Sequence, residues 1–427
     1  MIRILPYETL GKEAVLARTE EAPDVSAPVN AILAAVKEEG DSALRRYAKE
    51  FDGMGDETPL EVSKEEIAAA VSAIDPAFLA ILNEAAENIR NFHKHQVRNG
   101  FVLSERSGIV LGQKVTPLAR VGLYVPGGTA CYPSTVLMDS IPAKLAGVRE
   151  LIMVTPAKGG IIRPEILAAA SVAGVDRIFR IGGAQAVAAL AYGTESVPKA
   201  DKIVGPGNVF VAEAKRQVYG LVDIDMIAGP SEILVIADDT AIPRYVAADL
   251  LSQAEHDKNA SAVLVTPSEA LAKAVQAELE VQLNALPRQE IARTSIENNG
   301  KIILTGCIED ALMLANEIAP EHLELCVGDP FAMLGEVRNA GSVFLGNYCP
   351  EALGDYFAGP NHTLPTSGTA KFSSPLSVDD FVKKTQFSYY TADALGCVAE
   401  KIACFANKEG LDAHGRSVLY RLEDLKK

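Results

Sequence analysis

The sequence predicts an α/β protein with two similar Rossmann-like domains, each built on a parallel sheet, and small helical segments at both ends. After residue 101, short apolar runs alternate with alanine-rich helical segments, which is typical of parallel strands covered by helices on both faces. The alternation occurs twice, on either side of a Gly-Pro turn at 228–231. The chain of 427 residues also exceeds the size that one hydrophobic core normally serves.

Residues 1 to about 100 are predicted to be mainly helical, with residues 1–22 as an extension. The segments 26–37 and 63–71 each begin with a serine that can cap a helix, and their apolar residues recur at helical spacing. This part of the chain therefore reads as scaffold.

Eight strands are predicted in two series. The first series is 121–125, 151–155, 177–181 and 201–204, and the second is 232–237, 261–266, 301–305 and 341–346. From about Val378 the chain is predicted to be helical to its charged end. The cleft between two such domains is the usual place for a ligand.

Charge and composition narrow the classes of partner. The chain has 40 Lys and Arg against 56 Asp and Glu, a net charge of −16, so nucleic acid and anionic membranes are disfavoured. The first residues contain no signal-type apolar core, and no apolar run reaches the ~18 residues of a spanning helix. A cytoplasmic protein with a small-molecule partner is expected.

Cysteines and histidines limit the candidate metal chemistry. The six cysteines have no C-x-x-C spacing, so we expect reduced thiols rather than disulfides or a thiolate zinc site. His93 and His95 lie in a polar stretch and are interpreted as solvated rather than as ligands. The other four histidines, at 256, 322, 362 and 414, lie in compact motifs and are the candidates for metal or acid–base roles.

Three glycine turns follow predicted strands, at 126–128, 182–185 and 205–208, but none completes the dinucleotide-binding pattern G-x-G-x-x-G. Each turn is either a tight connection or a place where backbone N–H groups face an anion. Three of them in one domain make a nucleotide or phosphate-bearing ligand more credible.

Gln253 and His256 lie three residues apart near the end of a predicted helix that is opened by Pro243. Residues at this spacing share one helix face, so the pair is either half of a metal site or a surface and capping feature. Asp355 and His414 would supply a carboxylate and a second imidazole. Such nitrogen and oxygen ligands suit Zn²⁺, although glutamine is an uncommon zinc ligand.

Glu321 and His322 follow Pro320, and the sequence predicts that Pro320 begins a helix. The pair is then either a helix-start carboxylate beside a partly exposed histidine, or an acid–base pair in which the carboxylate activates water.

Taken together, these motifs resemble the histidinol dehydrogenase family from about residue 30 to the end of the chain. The resemblance rests on eight segments in order: Tyr-Val-Pro-Gly-Gly-Thr-Ala at 124–130, 181–194, Val-Gly-Pro-Gly-Asn at 204–208, Ala-Gly-Pro-Ser-Glu at 228–232, Leu-Ser-Gln-Ala-Glu-His at 251–256, Ala-Pro-Glu-His-Leu at 319–323, Glu-Ala-Leu-Gly-Asp-Tyr at 351–356 and Glu-Gly-Leu-Asp-Ala-His at 409–414.

The resemblance implies a homodimer with one Zn²⁺ per subunit, which oxidises L-histidinol through histidinaldehyde to L-histidine with two NAD⁺ in succession, the last step of histidine biosynthesis. It also implies incomplete, aldehyde-dehydrogenase-like domains: 23–123 with 231–376 for metal and substrate, 124–230 for NAD, and a helical tail at 377–427 that contacts the partner subunit.

The same resemblance assigns roles to residues of this chain. The implied metal ligands are Gln253, His256, Asp355 and His414, and the implied NAD contacts are Tyr124, Gln185 and Asn208. The implied substrate contacts are Ser231, Gln253, His256, His322, Asp355, Glu409 and His414, with His414 and Glu409 donated across the dimer interface.

In the implied mechanism the metal is mainly a template, His322 moves protons and Glu321 activates water. Cys131 raises a further route through a covalent thiohemiacetal, which we disfavour because no base neighbours it in sequence. The first alternative function is a zinc hydrolase with Glu321 as general base. The second is a non-catalytic metal- or nucleotide-binding scaffold, which would not need Glu321.

Overall fold

The computed structural model describes residues 1–9, 11, 23–127 and 131–425. Part of the predicted extension 1–22 and part of the segment 124–130 therefore lie outside the described residues. Within the described part, no helix is both long and apolar enough to cross a membrane. All six cysteines are described and are free thiols, as predicted.

The described strands are numbered in chain order. They are β1 (Arg3–Pro6), β2 (Phe101–Leu103), β3 (Ile109–Pro117), β4 (Arg120–Tyr124), β5 (Glu150–Val154), β6 (Arg177–Phe179), β7 (Lys202–Val204), β8 (Asp223–Ile224), β9 (Glu232–Ala237), β10 (Ser261–Thr266), β11 (Lys301–Leu304), β12 (His322–Cys326), β13 (Ser342–Leu345) and β14 (Val382–Tyr390). All eight predicted strands are present, as β4–β7, β9–β11 and β13.

The described α-helices are numbered in the same way. They are α1 (Ser26–Glu39), α2 (Asp41–Asp52), α3 (Lys64–Ala73), α4 (Pro76–His93), α5 (Pro133–Ala146), α6 (Pro164–Ala173), α7 (Gly183–Tyr192), α8 (Val209–Val218), α9 (Pro243–Ala254), α10 (Glu269–Leu283), α11 (Gln289–Asn298), α12 (Ile308–Ile318), α13 (Pro330–Leu334), α14 (Glu351–Tyr356), α15 (Ala392–Gly396), α16 (Ala399–Lys408) and α17 (Asp412–Leu425).

Two parallel sheets form the first compact unit, which comprises residues 1–96 and 118–381. The five-stranded sheet has the order β6-β5-β4-β7-β8, and the six-stranded sheet has the order β1-β11-β10-β9-β12-β13. Leaving out β1, the two sheets have the same strand order. The first strand of each lies in the centre, the next two follow on one side, and the last two follow on the other side. The prediction of two similar Rossmann-like halves is confirmed.

Each sheet is buried on both faces because its strands carry apolar residues in succession. Along β5, Leu151 and Met153 join one hydrophobic cluster, while Ile152 and Val154 join the cluster on the opposite face. Burying one such side chain stabilises the fold by roughly 1.5–3 kcal/mol. The core therefore holds the strand ends, and the loops after them, in fixed positions.

The N-terminal helices pack against the five-stranded sheet. Leu33 of α1 belongs to the cluster on one face of this sheet, and Leu82 and Ile89 of α4 belong to the cluster on the other face. The predicted domain limits placed these helices with the other half of the protein. Exact domain limits stay a prediction.

The predicted helix starts are confirmed in part. Ser63 caps α3 by a reciprocal capping box, in which its hydroxyl accepts from the Glu66 backbone and Glu66 accepts from the Ser63 backbone. Ser26 begins α1 but is not its cap, because its own backbone N–H donates to the carboxylate of Asp24 at 2.9 Å.

The second compact unit comprises residues 97–117 and 382–427. Its antiparallel sheet has the order β14-β3-β2, and β14 pairs with β3 from Val382 opposite Pro117 to Tyr390 opposite Ile109. The prediction of a wholly helical C-terminal tail is therefore wrong for 382–390. Lys383, Thr385, Phe387 and Tyr389 occupy every second position of this segment. The segment forms a strand because β3, which is distant in sequence, completes its backbone hydrogen bonds.

Candidate active site

A cavity of about 970 Å³ lies between the carboxyl edge of the five-stranded sheet and the amino edge of the six-stranded sheet. The loops after β4 and β7 line one side, and the first residues of β10, β11 and β12 line the other. Seven predicted site residues line this cavity: Asn208, Ser231, Gln253, His256, Glu321, His322 and Asp355.

Glu321 and His322 lie at the amino end of strand β12, so the prediction that they begin a helix is wrong. Helix α12 ends at Ile318, and Ala319 takes a left-handed conformation with φ 53°. Pro320 thus follows a helix instead of starting one. The five residues from His322 are all buried and pair with β9 and β13. They form a strand because of this pairing.

The ring of His322 has one nitrogen free to act as a base. Its Nδ1 lies 2.9 Å from the backbone carbonyl oxygen of Glu232, so Nδ1 carries the proton that it donates there. The lone pair then resides on Nε2, for which the described residues provide no hydrogen-bond partner. Burial lowers the pKa of His322, which keeps the ring neutral and able to accept a proton.

Glu321 is a buried carboxyl group beside this histidine. Its Oε2 accepts the backbone N–H of Glu232 at 2.9 Å and lies 3.7 Å from Nδ1 of His322. Burial raises the pKa of Glu321 well above its ordinary value, and the negative charges of Glu232 and Glu351 act in the same direction. A carboxylate with a raised pKa is a better proton acceptor than a free one, which suits activation of water.

Helix α14 carries two carboxylates close to His322, and that of Asp355 lines the cavity. Glu351 and Asp355 are four residues apart and therefore share one helix face. One ligand atom each of His322, Glu351 and Asp355 lies within 4.8 Å of the others. Burial and the negative charge of Glu351 raise the pKa of Asp355 to about 9. A divalent cation at this position would relieve the repulsion between the two carboxylates.

Gln253 and His256 stand beside this cluster. Helix α9 ends at Ala254, but the His256 backbone N–H still donates to the Gln253 carbonyl at 3.1 Å, so the expected closeness of the pair persists past the helix end. Gln253 is 1% exposed, and neither atom of its amide completes a hydrogen bond with a described residue. Nitrogen and oxygen donors with unused lone pairs fit a divalent ion such as Zn²⁺.

His362 and Asp139 connect this wall to the five-stranded half. Nδ1 of His362 donates to the backbone carbonyl of Asp355 at 3.0 Å, and burial lowers the pKa of His362 to about 4. The hydroxyl of the adjacent Thr363 donates to Oδ1 of Asp139 at 2.7 Å. Complete burial of Asp139 raises its pKa to about 7.

The glycine turns differ in what they present to the cavity. Asn208 caps α8 through its side-chain oxygen and lines the cavity. Tyr124 is 3% exposed and its hydroxyl accepts the backbone N–H of Gly183 at 3.0 Å, while Gln185 is 2% exposed. Gly205 has φ +110°, and a Cβ there would lie 2.1 Å from the Tyr124 carbonyl oxygen, so the close approach of the two loops requires glycine.

Comparison with known proteins identifies the family. The sequence profile described as histidinol dehydrogenase matches residues 16–422. The chain belongs to the histidinol dehydrogenase family. The histidinol dehydrogenase of Bacillus cereus is 57% identical over 402 residues, which is 94% of this chain and 94% of that protein. That of Syntrophotalea carbinolica is 53% identical and covers 99% of this chain and 100% of its own length.

Solved structures support both the family and the fold. The crystal structure of histidinol dehydrogenase from Elizabethkingia anophelis has a TM-score of 0.94 and 38% identity, and covers 100% of both chains. Betaine aldehyde dehydrogenase from Staphylococcus aureus has a TM-score of 0.50 at 12% identity, covering 85% of this chain and 82% of that one, which shows likeness of fold alone. Membership of a dehydrogenase family makes the chain an oxidoreductase and does not favour the zinc-hydrolase alternative.

Two residues that the resemblance to histidinol dehydrogenases assigned to the site lie in the second unit. Glu409 directly follows α16, and His414 lies in the first turn of α17. Both side chains are exposed. Of the four metal ligands that the resemblance implies, Gln253, His256 and Asp355 belong to the first unit and His414 belongs to the second.

Glu351 is the site residue that the sequence analysis did not single out. It is the first residue of the matched segment 351–356 and was assigned no role there. Its position four residues before Asp355 was an available signal, because on a helix that spacing places both carboxylates on one face. The sequence offered no means of knowing that the segment was a helix of six residues aimed at the cavity.

Proposed function

We propose that this chain oxidises L-histidinol through L-histidinaldehyde to L-histidine, the last step of histidine biosynthesis, with zinc and two NAD⁺ in succession. The observation that carries the proposal is the unpartnered Nε2 of His322, a neutral imidazole nitrogen in a cavity that extends from Asp355 to the turn at Asn208. A base at that place suits removal of a proton from an alcohol.

The residues that would hold one Zn²⁺ per subunit are Gln253, His256 and Asp355 with His414 of a second copy of the chain. When bound, the ion supplies anchorage for the imidazole and the amine of histidinol, which fixes the reacting C–H bond in one direction. The buried, unpartnered amide of Gln253 and the crowded carboxylates of α14 support this assignment.

NAD⁺ supplies the hydride acceptor for both oxidations. We assign its binding to Tyr124, Gln185 and Asn208. Asn208 lines the cavity, the Tyr124 hydroxyl bonds the backbone N–H of Gly183, and Gln185 lies in the first turn of the helix that begins at Gly183. The location agrees with the rule that nucleotides bind beyond the carboxyl ends of strands at the point where the winding of the sheet reverses. In this sheet that point lies between β4 and β7.

His322 and Glu321 perform the proton transfers. His322 accepts the hydroxyl proton at Nε2 while its Nδ1 stays bonded to the Glu232 carbonyl, so the ring keeps its orientation through the step. The aldehyde must then be hydrated before the second oxidation. Glu321, held by the Glu232 backbone N–H, removes a proton from that water together with His322.

Ser231, Glu409 and His414 complete the proposed substrate contacts. We propose a cytoplasmic homodimer in which Glu409 and His414 reach the cavity of the partner. Their exposure on the second unit supports a role outside their own unit.

The test supplies zinc-replete protein with histidinol as the only added reductant and follows NADH absorbance and histidine together. Two NADH per histidine are expected, with loss of activity on treatment with a zinc chelator and recovery on adding Zn²⁺. Absence of any NADH from zinc-replete protein would refute the proposal, since hydrolysis consumes no NAD⁺.

A further inference from the structure

We propose that Glu351 is a positioning residue of the metal centre, which turns the amide of Gln253 so that its oxygen, not its nitrogen, faces the ion. The inference deepens the proposed function and rests on its assignment of Gln253 as a metal ligand. It also accounts for a choice of ligand that chemistry alone does not favour, since a neutral amide is a weak donor for zinc.

Glu351 is held by hydrogen bonds at its backbone and at its carboxylate. Its backbone N–H donates to Oε1 of Glu324 at 2.8 Å, on the buried strand β12. Its Oε2 accepts the hydroxyl of Ser252 at 2.9 Å, the residue directly before Gln253 on α9. Glu351 is 2% exposed. The side chain therefore bridges α14 and α9 and cannot swing into solvent.

One oxygen of this carboxylate, Oε1, is buried and has no hydrogen-bond partner among the described residues. A carboxylate oxygen of Glu351 lies within 4.8 Å of one of Asp355, and Oε2 of Glu351 bonds the hydroxyl of Ser252, which directly precedes Gln253. Glu351 thus lies beside two proposed metal ligands, Asp355 and Gln253.

The chemistry of the two groups decides the direction of the amide. An ionised carboxylate only accepts hydrogen bonds, whereas an amide has a donor end and an acceptor end. The donor end, Nε2, must therefore face Glu351, and Oε1 is left to face the cavity. In the opposite orientation, the amide oxygen would face the carboxylate oxygen and the N–H groups would face the ion. An N–H group cannot bind a cation.

A second observation points independently to a ligand at this place. Both amide atoms of Gln253 are unbonded although the residue is 1% exposed, and so is Nε2 of His322 at 4%. Buried polar groups are nearly always satisfied. Unused polar atoms on two different elements that line one cavity indicate a ligand there. Carboxylates that support metal ligands commonly govern metal affinity.

The experiment measures zinc affinity of the full-length protein by competition with a chromophoric chelator, without substrate. Glu351→Gln is expected to weaken Zn²⁺ binding about 10–100-fold, because its own amide no longer forces Gln253 into one orientation. Glu351→Asp keeps the charge but withdraws it by one methylene, and is expected to lose about 5-fold or more. With Co²⁺ in place of Zn²⁺, both variants should show a changed visible absorption spectrum, which a purely structural role would not produce.

Glu280→Gln provides the matched control. It makes the same chemical change on α10, where Glu280 pairs with Arg293 and lies outside the group of His322, Glu351 and Asp355, and it should leave zinc affinity unchanged. Thermal unfolding of each variant checks that it folds, and Glu351→Asp covers the case in which Glu351→Gln does not.

The outcomes separate the inference from the proposed function. Zinc affinity of Glu351→Gln within 2-fold of the unmodified protein, or of Glu351→Asp equal to it, overturns the inference. Zinc binding that depends on Glu351 but is accompanied by no oxidation of histidinol overturns the proposed function and leaves the inference standing. Unmodified protein that binds no zinc overturns both.

Discussion

Replacing Asp139 with asparagine should remove a pH-dependent loss of stability. Asp139 is completely buried in α5, its Oδ1 accepts the Thr363 hydroxyl at 2.7 Å, and no described residue bonds its Oδ2. Burial raises its pKa from 3.8 to about 7. Folding therefore favours the protonated acid. The stabilising contribution is complete below the unfolded value of 3.8 and is lost as pH rises through about 7.

The magnitude follows from the two pKa values. Each pH unit between the two pKa values changes the free energy of unfolding by about 1.4 kcal/mol. Between pH 5 and pH 8 the unmodified protein should therefore lose roughly 3 kcal/mol of stability through this group. Asparagine stays neutral and keeps the oxygen that accepts from Thr363. Its buried N–H groups cost about 1–3 kcal/mol at every pH, so the difference between the two pH values is the quantity to compare.

The assay is thermal unfolding of both proteins at pH 5 and pH 8, at matched protein and salt concentrations. The unfolding midpoint of the unmodified protein should fall between pH 5 and pH 8 by roughly 3 °C more than that of Asp139→Asn. This value applies to a chain of 427 residues that unfolds in one transition. Parallel pH profiles for the two proteins would refute the assignment of a buried, protonated Asp139.

Three further predictions concern the site. Glu321→Gln should leave zinc content intact and slow histidine formation from histidinaldehyde about 100-fold or more, measured by NADH release from the aldehyde; unchanged turnover of the aldehyde would count against its role in activating water. Gly205→Ala should raise KM for NAD⁺ at least several-fold with unchanged zinc content, because the added Cβ would lie 2.1 Å from the Tyr124 carbonyl oxygen; an unaltered KM would show that the turn is not part of the cofactor site. Mixed dimers of His414→Asn with Glu321→Gln should recover partial activity through one intact hybrid site, and verified heterodimers without activity would contradict a site shared between subunits.

Local pattern was sufficient to predict most strands. The runs 233–237 and 262–265 are apolar throughout, so their burial on both faces could be predicted from the residues themselves. The segment from His322 to Cys326 was different. Its acidic and imidazole side chains resemble a helix start after Pro320, and only pairing with β9 and β13 makes it a strand.

The candidate site followed the same division. The resemblance to histidinol dehydrogenases supplied Gln253, His256, Glu321, His322 and Asp355 before any fold was known, and the cavity brings these five together. It did not supply Glu351, whose contacts are with Ser252 and Glu324. Contacts between segments so far apart in sequence leave no mark on local composition.

The amino-acid sequence by itself determined the two layered α/β halves and the family, because strand and helix periodicity and short motifs are properties of neighbouring residues. The tertiary structure alone decided which nitrogen of His322 is free, which carboxylates are forced together on α14, and that the cavity lies between the amino edge of one sheet and the carboxyl edge of the other. These features depend on burial and on hydrogen bonds between distant segments, such as the bond from His322 to the Glu232 carbonyl, and burial is set only when the whole chain has folded.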